Sequence, residues 1–149
     1  MKRLAIEYWV PLVLWLVVIF IFSTDYFSAA RTSTVIVSIL HFLFPSRPID
    51  QLEFWHHIIR KIGHVTEYFL LAVFTYRTMK LVQLDWTQAR VRTMAFVLFA
   101  ASFDELHQAF TRFRTPSPFD VGYDCLGAVW ALSLITIYEI WRLRTHPVL

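Results

Sequence analysis

Two strongly apolar runs, AFVLFAA and CLGAVWALSLITIY, flank FDELHQAFTRFRTPSPFDVGYD, the stretch from Phe103 to Asp124. That stretch gathers Asp104, Glu105, His107, Arg112, Arg114, Asp120 and Asp124 in a chain that is 57% hydrophobic and only 17% charged. Such a ratio lies outside the soluble globular range and points to lipid as the solvent. A lone charge near mid-membrane costs about 2.5–3.5 kcal/mol on insertion scales. Charges clustered at one depth are therefore expected to pair with one another or to line a wet cavity.

At 149 residues, with three glycines and no low-complexity tract, the chain reads as a single domain. Apolar segments at about 4–22, 62–80, 91–110 and 119–141 predict an all-α membrane domain with four transmembrane helices. The first segment follows two positive charges, as in a signal peptide, but bulky Phe20, Ile21 and Phe22 stand where a cleavage site needs small residues. It is read as a retained span. Between the first two spans, Val35, Ile36, Ile39, Leu40 and Leu43 fall at helical spacing, opposed by Arg31, Thr34, Ser38 and His41. This predicts an amphipathic interfacial or re-entrant helix over about 28–44, ended by PSRP.

With four spans the connections alternate sides. The side holding both termini then carries eight Lys and Arg residues and the other carries six, which places both termini in the cytoplasm. The same alternation brings the polar ends of the second, third and fourth spans to one side. The net charge of +3 does not call for nucleic acid, because the basic residues sit at the ends of apolar runs and form no stripe. Cys125 is the lone cysteine, so an intrachain disulfide is excluded and a buried thiol is expected.

On the second span Arg60, His64 and Glu67 are spaced by four and three and share a face, with Lys61 and Tyr68 adjoining. On the third, Asp104, His107 and Gln108 lie one turn apart, while Glu105 is rotated about 100° away. In the turn beyond Arg114, Ser117 suits an N-cap, Pro118 the first helical position, and Asp120 the positive end of the helix dipole. Asp124 follows one turn later, and Gly127 offers a close approach to a neighbouring helix. His64, Glu67, Asp104, His107 and Asp120 are the candidate acid and base groups. Arg60, Lys61, Tyr68, Glu105, Gln108, Arg114, Ser117 and Asp124 are the candidate ligand contacts. No cofactor or metal is expected, although His64 with Glu67, and Asp104 with His107, have the i, i+3 spacing that can chelate from a helix.

The pairing of RKIGHVTEYFLL with FDELHQAFTRFRTPSPFDVGYDCLGA resembles the VanZ-like family of small bacterial membrane proteins. Lys61, His64 and Tyr68 match one family motif, and Asp104, Glu105, Gln108, Arg114, Ser117, Asp120 and Gly127 match the others. Phe113 stands where the family usually has Gly, and Asp124 where Asn is common. The resemblance implies a protein of the bacterial cytoplasmic membrane and cell envelope, and, through the family's founding member, a link to resistance to the glycopeptide teicoplanin. The implied partners are membrane lipids or the headgroup of an envelope precursor.

Three functions are compatible with these residues. The charges could bind or modify an anionic headgroup, serve an intramembrane hydrolase or transferase with His64 or His107 as base, or form a structural salt-bridge cluster in a scaffold protein. No Gly-x-Ser-x-Gly, P-loop or metalloprotease signature supports the enzyme.

Overall fold

A computed structural model describes residues 2–82, 84–114 and 116–145, whose regular structure is all helical, with no strand among them. The helices are α1 (Lys2–Ser23), α2 (Ala29–Leu43), α3 (Ile49–Leu81), α4 (Trp86–Ala109) and α5 (Pro118–Thr145), with a 3-10 turn at Asp25–Phe27 between α1 and α2. Proline sets two of the starts: Pro48 immediately precedes α3, and Pro118 is the first residue of α5, where its fixed φ and missing N–H carry no penalty. Asp85 caps α4, its carboxylate accepting the Gln88 N–H at 2.8 Å.

A helix is present where the amphipathic one is expected, as α2. Its apolar side is divided between two environments. Ile36 and Leu40 are half-buried, and Val35, Ile39 and Leu43 are exposed. The second expected span, by contrast, is only part of α3. At 33 residues α3 is about 50 Å long, well over the ~30 Å of a hydrocarbon core. Its extra N-terminal turns are held by α2, against which Leu52 and His56 are buried. His56 Nε2 lies 3.1 Å from Thr32 Oγ1, and Thr32 donates its own hydroxyl proton to the Ser28 carbonyl.

The bundle is organised around α3, which packs on all four other helices; α5 also packs on α4. Tyr68, Leu71 and Ala72 of α3 meet Val97 and Ala101 of α4, Ala128 and Ala131 of α5, and Leu12 and Ile19 of α1. Small residues dominate the α4 and α5 contributions, which brings backbones close together. α1 is tied on by Trp15, whose Nε1–H donates to the Glu67 carbonyl at 2.8 Å. α1 and α2 each lie on α3 without packing on each other.

The outer surface is apolar. Leu14, Val91, Phe99, Trp130 and Ile137 are each more than half exposed. A continuous belt of this kind would cost about 25 cal/mol per Å² in water, and it suits hydrocarbon. Ile6–Ser23 and Pro118–Thr145 are long and apolar enough to cross a membrane by themselves. α3 and α4 carry more titratable side chains, several of which, including Asp104 and Glu105, are turned inward.

Candidate functional site

Four helices and the turn before α5 enclose a pocket of about 200 Å³. From α3 come Arg60, Gly63, His64 and Glu67, one stripe at helical spacing; α4 supplies Asp104 and Gln108, one turn apart. Arg114 reaches in from the connection between α4 and α5. Ser23 of α1 and Thr32 of α2 complete the polar lining, and Ile19, Phe22, Phe27, Ile36 and Ile59 make the rest of the wall apolar.

Of the residues selected from sequence, Arg60, His64, Glu67, Asp104, Gln108 and Arg114 thus converge on one cavity. Lys61, Tyr68, Glu105, His107, Ser117, Asp120 and Asp124 do not line it, and most support those that do. Lys61 pairs with Asp120, joining α3 to the start of α5. His64 Nδ1 lies 3.0 Å from Asp124 Oδ1. Asp124 is fully buried, and a carboxylate at Nδ1 fixes the orientation of the imidazole and leaves Nε2 uncommitted. Glu105 is buried: its carboxylate accepts the Ser117 N–H at 2.6 Å and sets the entry into α5. His107 shares a hydrogen bond with Ser23 Oγ at 2.9 Å and packs on the Phe20 ring. Tyr68 is wholly buried beside the cluster, and its hydroxyl has no hydrogen-bond partner among the described residues.

The two guanidinium groups are partly committed. Arg60 Nη1 donates to the Phe27 carbonyl at 3.0 Å and lies 3.5 Å from Thr32 Oγ1. Arg114 Nη2 donates to the carbonyls of Phe22 and Thr24, and its Nε also reaches Thr24, so it closes the end of α1. Each still has N–H donors to offer, since a guanidinium carries five. Burial and then the charge of Arg60 lower the pKa of Arg114 from its ordinary value; burial also lowers that of Arg60, against the pull of Asp120 and Glu67. The pocket thus holds two cations together with the carboxylates of Glu67 and Asp104, which oppose the shift at Arg114. Glu67 lines the same pocket with no side-chain hydrogen bond within the described residues, whereas Asp104 accepts from Gln108 Nε2 at 2.7 Å.

Sequence reading did not find three parts of this arrangement. Gly63 lines the pocket with open space where a side chain would stand. Asp25 accepts the backbone N–H of Phe113 at 3.0 Å and of Arg112 at 3.4 Å, so Arg112 contributes its backbone and the connection is clasped to the 3-10 turn after α1. At the opposite end of the bundle Glu139 accepts from Tyr76 Oη at 2.6 Å and from Arg90 Nη2 at 3.0 Å, pinning α3, α4 and α5. Of these, only the alternation of charge along the spans was available as a signal, and it does not name partners. Among the described residues no three His, Cys, Asp or Glu side chains are grouped as a metal site would need.

No curated protein and no solved structure matches the chain. The family described as VanZ/LLP1 matches residues 8–141, which takes in every pocket residue and both supporting ion pairs. With the motif residues of α3, α4 and α5 gathered at one end of a helical bundle, the chain belongs to the VanZ/LLP1 family.

Proposed function

We propose that this protein crosses the bacterial cytoplasmic membrane four times, through α1, α3, α4 and α5, with both termini in the cytoplasm and the pocket facing outward. The pocket binds the anionic headgroup of a lipid or envelope precursor. Arg60 and Arg114 contact the anion, and His64, Glu67 and Asp104 orient it or exchange protons with it. The observation that carries this reading is the presence of two guanidinium groups on one partly apolar pocket, each with donors to spare. An anion between them relieves their mutual repulsion. The apolar belt and the excess of Lys and Arg on the side of the termini support the topology. Membership of the family supports a role in the cell envelope, and a contribution to teicoplanin resistance would follow from the altered envelope that such binding or modification produces.

A second reading, a purely structural charge cluster, draws on the pairs Lys61–Asp120 and His64–Asp124 and on the capping of α1 by Arg114. Glu67 separates the two, because its side chain makes no hydrogen bond among the described residues and meets Arg60, His64 and Arg114 through charge alone. Glu67→Gln and Arg60→Gln should leave folded yield near wild type and reduce both headgroup binding and teicoplanin tolerance in a host that depends on the protein. If both variants retain binding and tolerance, the cluster is structural and the proposal fails. Cysteine labelling on a Cys125→Ser background tests topology; position 47 reacting only from the cytoplasmic side would invert it.

A further inference from the structure

The pocket lining is mixed. Beside its charged groups stand Ile19 and Phe22 of α1, Phe27 of the 3-10 turn, Ile36 of α2 and Ile59 of α3, and α1 and α2 lie on α3 without packing on each other, which leaves a cleft between them. Phe22 and Ile59 are each about two-fifths exposed along that cleft. A pocket that admitted a small hydrated anion from the aqueous side would gain nothing from the apolar part of this lining, since apolar surface offers no replacement for lost hydration. An acyl chain, in contrast, is at home on it.

Gly63 sharpens the point. It stands in the middle of α3, between Arg60 and Glu67 on the pocket stripe, where glycine costs about 0.5–1 kcal/mol relative to alanine. Nothing lies within 4 Å of a Cβ built there, so neither packing nor backbone conformation calls for glycine. What Gly63 supplies is room, beside the guanidinium of Arg60 and within the mixed lining. A volume of about 200 Å³ suits a headgroup but not a headgroup together with its acyl chains, so the chains have to leave through the cleft.

We infer that the ligand is an intact anionic membrane lipid that enters sideways between α1 and α2, its phosphate at Arg60 and Arg114 and its acyl chain lying in the cleft over Gly63. This rests on the anion-binding reading above and narrows it to a lipid that never leaves the bilayer. The arginines match the phosphate in charge, and the cleft continues directly from them into the apolar surround.

The test uses the full-length protein purified in detergent, with binding followed by native mass spectrometry against phosphatidylglycerol and, separately, glycerol 3-phosphate as the soluble head. Wild type and Gly122→Ala, a change outside the pocket where an added Cβ meets nothing, should bind phosphatidylglycerol comparably. Gly63→Leu, which fills the cleft, should bind at least ten-fold more weakly with an unchanged melting temperature, and Ile36→Trp, filling it from α2, should do the same should Gly63→Leu misfold. Glycerol 3-phosphate at equal concentration should neither bind nor displace the lipid. Displacement by glycerol 3-phosphate, or full binding in both folded cleft-filling variants, overturns lateral entry while leaving anion binding intact. Wild-type binding by Arg60→Gln would instead overturn the anion reading itself, and lateral entry with it.

Discussion

Gly127 of α5 lies against the backbone of Val65 in α3. A Cβ built on Gly127 would overlap the Val65 carbonyl oxygen and stand 2.9 Å from the Phe69 nitrogen. In hydrocarbon no hydrophobic force drives helices together, so their association depends on contacts this close.

Gly127→Ala is accordingly expected to lower stability by about 1–3 kcal/mol through overpacking, and Gly127→Leu by more. Gly122→Ala, where an added Cβ meets nothing within 4 Å, should be neutral or slightly stabilising. Thermal unfolding in detergent reads both. Equal melting temperatures for Gly127→Ala and Gly122→Ala would mean that α3 and α5 are not in backbone contact.

The two ion pairs between α3 and α5 should differ in weight. Asp124 is completely buried and His64 nearly so, whereas the Lys61 side chain is 38% exposed and can return to water when Asp120 is removed. Asp124→Ala should cost about 3–5 kcal/mol, as expected when one partner of a buried pair is lost. Asp120→Ala should cost about 1 kcal/mol or less, including its contribution at the start of α5. Chemical denaturation of the two variants side by side would expose an inverted order.

Glu139→Gln should destabilise the far end of the bundle by about 1–3 kcal/mol, because Arg90 and Tyr76 share that carboxylate. Lipid binding at the pocket should not change. Combined with Asp124→Ala, the losses should add to within about 0.5 kcal/mol, since the sites share no partner. A large coupling energy in this double-mutant cycle would show that the two ends communicate.

His56 makes the seating of α2 sensitive to acid. Burial, then the charges of Arg60 and His57, lower its pKa below the usual 6.5, with Glu53 opposing. The unfolded chain therefore takes up this proton first as pH falls. The stability that neutral His56 provides is complete above about pH 6.5 and declines below it, toward its lower folded value. Melting temperatures measured from pH 7.5 to 5 should fall less steeply for His56→Gln than for wild type; parallel curves would exclude His56 as the source.

Local chemistry was legible from sequence wherever it acts over one or two turns. The apolar period of α2, the stop at PSRP and the start of α5 at Pro118 all follow from neighbouring residues. The convergence of Arg60, His64, Glu67, Asp104, Gln108 and Arg114 followed from alternation of the connections. The start of α3 did not, because the burial of Leu52 and His56 depends on tertiary packing, and the segment alone is too polar to read as a span. Glu105 does lie off the face shared by Asp104 and Gln108, but its partner, the Ser117 N–H, was not legible because the angular argument knows one helix and not its neighbour. Gly63 escaped notice for a related reason: the empty space beside it is bounded by elements distant in sequence.

The clasp between Asp25 and the Phe113 backbone, and that of Arg114 on Phe22 and Thr24, joins positions 88 to 92 residues apart. During synthesis α1 emerges first, yet the group that closes its end arrives only with the turn before α5. Until then α1 is held by α3 and α4 alone, and the pocket lacks one of its two arginines. Assembly of the pocket is thus deferred until nearly the whole bundle has been made, so a nascent chain halted before the α4–α5 turn would present an open cleft with nothing to hold an anion at its far side.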